Sequence, residues 1–203
     1  MEKLKNIAVL ASGNGSNFQA IVDALKKGRI QANIKLLVCD NPEAYCLQRA
    51  AKAKVKAFIA DRRDFSNKKD FEEQIIRKLR SEKIGLIILA GFMRLLSGEF
   101  IKKYRGRILN IHPSLLPVFK GARAIKDAFD CGAKVSGVTV HFVDEQMDHG
   151  PIILQEPLKI KAGWSLEELE KNIHNLEHKI YPQVIRLFLE GRLRLKGRKV
   201  IIS

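Results

Sequence analysis

Asn110 and His112 stand two residues apart at the close of a short apolar run, Arg107-Ile108-Leu109-Asn110-Ile111, and Pro113 follows at once. The run reads as a strand, and residues two apart on a strand project to the same face. A neutral amide donor and an imidazole therefore point together. Pro113 neither donates to a ladder nor continues a strand, so the pair lies where sheet gives way to loop, the usual seat of chemistry in open α/β folds. An amide that can hold a developing oxyanion beside a ring that can carry a proton is suited to acyl transfer. The same residues also suit a structural pair, with Asn110 serving loop backbone and His112 a buried hydrogen bond. Their surroundings decide between the two.

Four further segments carry residues of chemical interest. Ser12-Gly13-Asn14-Gly15-Ser16-Asn17 follows the first strand and opens the first helix, where free backbone N–H groups and the positive end of a helix dipole make a phosphate cradle. A dinucleotide fingerprint needs a glycine where Phe18 stands, and a Walker loop needs a lysine that is absent. Asp40, near the end of the second strand, is therefore discounted as a ribose-binding acid, and a turn capped by Ser16 or Asn17 is the structural alternative. Met147-Asp148-His149-Gly150-Pro151 places a carboxylate in a turn between two strands. If those strands lie beside the one ending at His112, Asp148 orients and charges the imidazole; otherwise it is a turn-former. Ala90-Gly91-Phe92-Met93-Arg94-Leu95-Leu96 sets one cation in an apolar loop, suited to a flat heterocycle bearing carboxylates or to core packing. His174-Asn175-Leu176-Glu177-His178 spells H-x-x-E-H, yet no third ligand is spaced to join it, and His141 and His149 offer no metal spacing. No metal site is expected.

Elements that would position these residues alternate along the first half of the chain. Strands are predicted at Ile7–Leu10, Ile34–Cys39, Lys56–Ile59 and Leu86–Leu89, with helices near Asn17–Lys27, Glu43–Ala53 and Lys68–Ser81. Continuous apolar runs between helices imply buried parallel strands covered on both faces. Beyond Asn110 the order changes to a long loop, a helix near Ala124–Phe129 and two longer strands at Val135–Val143 and Pro151–Ile160. A helix over Ser165–Glu190 follows, opened by the capping-box spacing of Ser165 and Glu168. Lys196-Gly197 between Leu193/Leu195 and Val200/Ile201 predicts a terminal hairpin. No repeat or linker interrupts the chain, so residues 1–203 are expected to form one domain.

Composition fits a soluble globular chain: 203 residues, 46% hydrophobic and 29% charged. No apolar run is long enough to span a bilayer, and the one after Met1–Lys5 ends by Ser12, too short for a secretory signal; a cytoplasmic location and no membrane partner are expected. Cys39, Cys46 and Cys131 are odd in number and form no C-x-x-C pair, which excludes a disulfide framework and a zinc ribbon. A net charge of +15 favours anionic partners. The excess is spread along the chain, densest at Lys102–Arg107 and Arg192–Lys199, without an aromatic stacking signature, so no nucleic-acid site is expected.

Taken together, Ser12–Asn17, Leu89–Arg94, Leu109–Pro117, the Asp148-x-Gly150 turn, and Glu177-His178 with Ile180-Tyr181-Pro182 resemble the phosphoribosylglycinamide formyltransferase family, within the folate-dependent formyltransferase superfamily, over essentially the whole chain. Asn110, His112 and Asp148 are shared across the superfamily; Ser12–Asn17 and Glu177 point to the phosphoribosyl substrate. The resemblance implies a Rossmann-like formyltransferase fold, with a mostly parallel central sheet, helices on both faces and a C-terminal antiparallel extension. It implies that the amine of glycinamide ribonucleotide attacks the formyl carbon of 10-formyltetrahydrofolate, with no covalent enzyme intermediate and no metal. Asn110 would donate to the oxyanion. His112, kept protonated by Asp148, would stabilise it and give up a proton, with water completing transfer to the leaving nitrogen. Gly15, Ser16 and Asn17 would hold phosphate and Glu177 a ribose hydroxyl, with His174 in the same segment. Met93, Arg94, Leu95, Leu96, Asn110 and the loop Asp144-Glu145-Gln146-Met147-Asp148 would line the folate site. Lys68 falls where a relative has an arginine facing the folate, and a lysine lacks the planar bidentate contact. Val118–Ala124 departs from relatives that carry histidines there. The rival readings are formyltetrahydrofolate hydrolase, methionyl-tRNA formyltransferase and a basic nucleic-acid-binding module. The first two typically carry an additional domain, for which 203 residues leave no room. The enzyme would be a monomer or homodimer.

Overall fold

The computed structural model describes residues 5–203; Met1–Leu4 lie outside the described residues. Its central sheet has seven strands: β1 (Asn6–Ala11), β2 (Asn33–Cys39), β3 (Ala57–Ile59), β4 (Leu86–Leu89), β5 (Ile108–His112), β6 (Val135–Phe142) and β7 (Ile152–Lys159). Their order is β3-β2-β1-β4-β5-β6-β7. The first five are mutually parallel, whereas β6 runs antiparallel to β5 and β7 antiparallel to β6. A separate two-stranded hairpin, β8 (Leu193–Lys196) and β9 (Lys199–Ile202), closes the chain. The mostly parallel sheet with an antiparallel extension is thus as the sequence predicts.

The apolar runs are continuous because both faces of the sheet are covered. Ile7, Val9 and Ala11 of β1 pack into one core, and Ala8 and Leu10 into the other, the two-residue period of a strand. Helices α1 (Ser16–Lys26), α2 (Tyr45–Lys52), α5 (Ala124–Asp130) and α6 (Leu166–Leu189) contribute to the first core. Helices α3 (Lys68–Ser81) and α4 (Gly98–Lys103) fill the second with Phe71, Ile75, Leu79, Phe100 and Ile101. Ser165 caps α6 with both hydrogen bonds of the capping box, as its spacing with Glu168 predicts. Among the described residues no helix is long and apolar enough to cross a membrane.

Two differences from the sequence expectation concern short elements. Helix α2 begins at Tyr45 rather than Glu43, because the Asn41 side chain accepts from the Glu43 N–H and ties that residue into a turn. Helix α4 was not expected: six residues carry little periodicity, and Ser97, whose Oγ accepts from the Phe100 N–H, supplies its start.

Strand β1 has β2 on one side and β4 on the other, so winding reverses between β1 and β4. In such sheets the crevice beyond the strand ends at that reversal receives ligands. The loops after the two strands are tied there: the Ser12 N–H donates to the Gly91 carbonyl at 3.0 Å, and the Met93 N–H to Ser12 Oγ at 2.8 Å.

Candidate active site

Strand β5 carries both Asn110 and His112, half-buried and buried respectively, and β6 places His141 opposite Asn110. The loop between β6 and β7 folds back so that Asp148 Oδ2 lies 3.5 Å from His112 Nδ1. The same oxygen accepts from the Gly121 N–H at 2.9 Å. On the far side of the ring, His112 Nε2 is 2.7 Å from the Phe119 carbonyl, to which it donates. Both ring nitrogens therefore face oxygen acceptors, an arrangement that an imidazolium satisfies. The sequence-predicted trio of Asn110, His112 and Asp148 is brought together.

His141 joins it, and the sequence reading assigned it no part. Its Nδ1 is 2.8 Å from the Phe142 carbonyl, an acceptor, so Nδ1 carries the proton and Nε2 offers its lone pair to Asn110 Nδ2 at 3.1 Å. Burial pushes the His141 pKa down, which keeps the ring neutral in that role. One Asn110 N–H is thereby fixed and the amide plane set. The signal was the β5–β6 register, which only the folded sheet supplies. Phe119 and Gly121, in the loop whose role the sequence left open, act through backbone atoms; Phe119 holds its carbonyl on His112 with φ of +52°.

A second cluster gathers at the start of α1. Gly15 adopts φ of +73°, and a Cβ there would meet Cys46 Cβ at 2.5 Å, so only glycine fits this turn. No side chain caps α1, contrary to the alternative of a Ser16 or Asn17 cap. The first-turn N–H groups remain available to an anion. Arg49, also unassigned by sequence, braces the turn from α2: its Nε donates to the Asn14 carbonyl at 2.9 Å and its Nη2 to Asn14 Oδ1 at 3.0 Å. From α6, buried Glu177 accepts from Asn17 Nδ2 at 2.9 Å and lies 3.0 Å from His174 Nδ1. That carboxylate raises the His174 pKa. Among the described residues Asn17 Oδ1 is buried without a hydrogen-bond partner. The H-x-x-E-H residues do not converge: His174 turns to Glu177, while His178 Nε2 is buried with no hydrogen-bond partner among the described residues. Among the described residues no group of three or more His, Cys, Asp or Glu is placed to hold a metal ion.

The Met93–Leu96 and Asp144–Asp148 segments expected at the folate side lie in the loops after β4 and β6. Met93, Leu95 and Met147 are exposed apolar side chains. A Cβ on Gly98 would lie 3.5 Å from the Glu145 carboxyl carbon, which sets the Asp144–Asp148 loop beside the β4 loop. Arg94 Nε donates to buried Asp40 Oδ2 at 2.6 Å, so the acid discounted for ribose binding anchors this guanidinium. Lys68 Nζ is 3.9 Å from Glu72 Oε1, and Glu72 accepts from the Ser97 N–H at 2.7 Å. Leu96 is half-buried against the second core, and Gln146 donates its N–H to Asp144 Oδ1 at 3.1 Å. Asn110 pairs with Leu89, the last residue of β4, so β5 ends beside the loop that carries Met93–Leu96.

A family model described as formyl transferase matches residues 5–185. The chain is 49% identical to phosphoribosylglycinamide formyltransferase of Bacillus subtilis over 92% of its own length and 95% of the relative's. It is 43% identical to the protein of that name from Haemophilus influenzae over 95% and 91% of the two lengths. The crystal structure of glycinamide ribonucleotide transformylase 1 from Symbiobacterium toebii superposes with a TM-score of 0.96 at 42% identity, covering 100% of this chain and 95% of that one. Similarity of this extent, in sequence and in fold alike, makes the chain a member of the phosphoribosylglycinamide formyltransferase family.

Proposed function

We propose that the protein transfers the formyl group of 10-formyltetrahydrofolate to the amine of glycinamide ribonucleotide in purine biosynthesis. The observation that carries the chemistry is the placement of His112 between the Asp148 carboxylate and an acceptor carbonyl, with the Asn110 amide fixed beside it. The amine nitrogen attacks the formyl carbon and its C=O π pair moves to oxygen. Asn110 donates to that oxyanion, and His112 Nε2–H turns to it from the Phe119 carbonyl. Preorganised donors aimed at developing charge are worth about 10²–10³ in rate for one lost donor. Collapse of the tetrahedral intermediate breaks the bond from carbon to the folate nitrogen. The proton lost by the amine is returned to that nitrogen through His112 and water, while Asp148 stabilises the imidazolium. No enzyme nucleophile takes part.

Gly15, Ser16 and Asn17 bind the substrate phosphate at the open start of α1, and Glu177 takes a ribose hydroxyl with His174 beside it. The hydrogen bond from Asn17 Nδ2 to Glu177 Oε2 supports this placement, since it ties the start of α1 to the α6 segment. Met93, Leu95, Leu96 and Met147 offer the folate ring an apolar wall, with Arg94, Lys68 and the Asp144–Asp148 backbone as polar partners. Incubation with 10-formyltetrahydrofolate, with and without glycinamide ribonucleotide, tests the reading. Formylated amine and tetrahydrofolate in equal amounts are expected. Deformylation that ignores the amine overturns the reading in favour of a hydrolase.

A further inference from the structure

The exposed terminal hairpin reaches back to the loop that carries Asp148. Its turn between β8 and β9 consists of Gly197, with φ of +60°, and Arg198, which is not among the positive-φ residues; this is the pattern of a type II′ turn. Arg198 thus stands at the tip. Its Nη2 donates to the His149 carbonyl, and its Nη1 lies 3.7 Å from Asp144 Oδ2. That carboxylate oxygen is also 2.9 Å from His149 Nδ1. One guanidinium therefore grips the loop on both sides of the Met147-Asp148 corner. Asp148 turns the corner with φ of +49°, a left-handed conformation that aspartate adopts at small cost, so contacts on either side of it help to fix the direction of its carboxylate. Gly150 secures the loop exit: a Cβ there would lie 1.8 Å from the Phe142 carbonyl oxygen. At the loop entry the Val143 N–H donates to the Ile108 carbonyl at 3.0 Å and the Gln146 N–H to Asp144 Oδ1 at 3.1 Å, and Arg198 links that entry, through Asp144, to His149 beyond the corner.

We propose that Arg198 is a positioning residue for formyl transfer: the hairpin clamps the Asp144–His149 loop in the shape that presents the Asp148 carboxylate to His112. The inference rests on the function proposed above. The guanidinium is suited to the task because its planar fork reaches a carboxylate and a carbonyl at once, which a lysine ammonium does not reproduce. The contact is half-exposed and lies at a hairpin tip, so its loss loosens the loop without opening the core.

Arg198→Ala and Arg198→Lys in the full chain test the proposal. Arg198→Ala is expected to lower kcat about tenfold, the scale of a modest misplacement at a reacting centre, with KM for glycinamide ribonucleotide unchanged. Arg198→Lys restores less than half of the lost rate. In an Asp148→Asn background, removing Arg198 changes kcat by less than about twofold, because its effect runs through Asp148. Parent-level kcat in Arg198→Ala, or the same fold-loss in both backgrounds, overturns the proposal. Hydrogen exchange without substrates gives an independent reading: amides of residues 144–150 exchange faster in Arg198→Ala, and unchanged protection there overturns the clamp whatever the activity. Failure of the parent chain to formylate the amine, with loosened exchange in the variant, counts against the functional reading and leaves the clamp standing.

Discussion

One carboxylate oxygen of Asp148 serves both the Gly121 N–H and the His112 ring, and a single substitution separates these duties. Asparagine tolerates the left-handed backbone at this position and can still accept from Gly121, but it carries no charge to stabilise an imidazolium. Asp148→Asn is therefore expected to keep the fold and lower kcat by about 10²–10⁴-fold, with both KM values near those of the parent; steady-state kinetics with a thermal melt check it, and near-normal turnover removes Asp148 from the mechanism. The pair of His174 and Glu177 predicts a pH effect of defined sign. Glu177 raises the His174 pKa above its ordinary 6.5, so the protonated partner is fully present below that value and is lost as pH climbs through the raised one. Above that point Glu177 bears its charge without His174 opposing it, close to the proposed phosphate site. KM for glycinamide ribonucleotide should rise across that interval, and His174→Gln should flatten the rise. A KM that is level with pH in the parent would sink the assignment of His174.

At the scale of elements, the Tyr181 hydroxyl ties helix α6 to β4 and β5. Tyr181, fully buried, has its hydroxyl 2.8 Å from the Leu89 carbonyl of β4 and 3.0 Å from the Leu109 carbonyl of β5, and burial pushes its pKa up. Tyr181→Phe leaves those contacts unmade in a dry core at nearly constant volume, and is expected to cost about 1–3 kcal/mol in denaturant unfolding. A change within a few tenths of a kcal/mol would mean the hydroxyl is dispensable. The element scale also shows what was legible beforehand. Strands such as Leu86–Leu89, and the Lys68–Ser81 helix, follow from local periodicity alone, and the structure places them where the sequence does. Asn110, His112 and Asp148 stand out by type, and β5, β6 and the returning loop bring them together. His141 and Arg198 do not stand out. Their partners lie 31 and 49 residues away in sequence, and pairing across strands or onto a loop leaves no local trace. The Phe119 carbonyl is harder still, since a backbone atom aimed by a φ of +52° has no residue-type signature.

For the whole molecule, a net charge of +15 puts self-repulsion into the compact fold, a cost that anionic ligands offset. The distribution fits such a role. Between α1 and α6 lies a groove of about 760 Å³ whose lining includes Ser16, the first residue of α1, and Lys27, Arg29, Arg49, Lys179 and Arg186 against a single carboxylate, Asp23. The proposed phosphate cradle thus shares Ser16 with a cationic groove, and both proposed substrates are anions. Fields of this kind raise local substrate concentration and are screened over a Debye length of about 10 Å at 0.1 M salt. Raising ionic strength from about 50 to 500 mM should therefore lower kcat/KM for glycinamide ribonucleotide by about threefold to tenfold, chiefly through KM, while kcat stays level. Charge reversal of Lys27 and Arg29 together should flatten that slope without touching kcat, because neither contacts the reacting atoms. A steep salt dependence that persists in the charge-reversed chain would confine the effect to the phosphate cradle itself, and a salt-independent kcat/KM in the parent would show that the positive charge plays no part in capture.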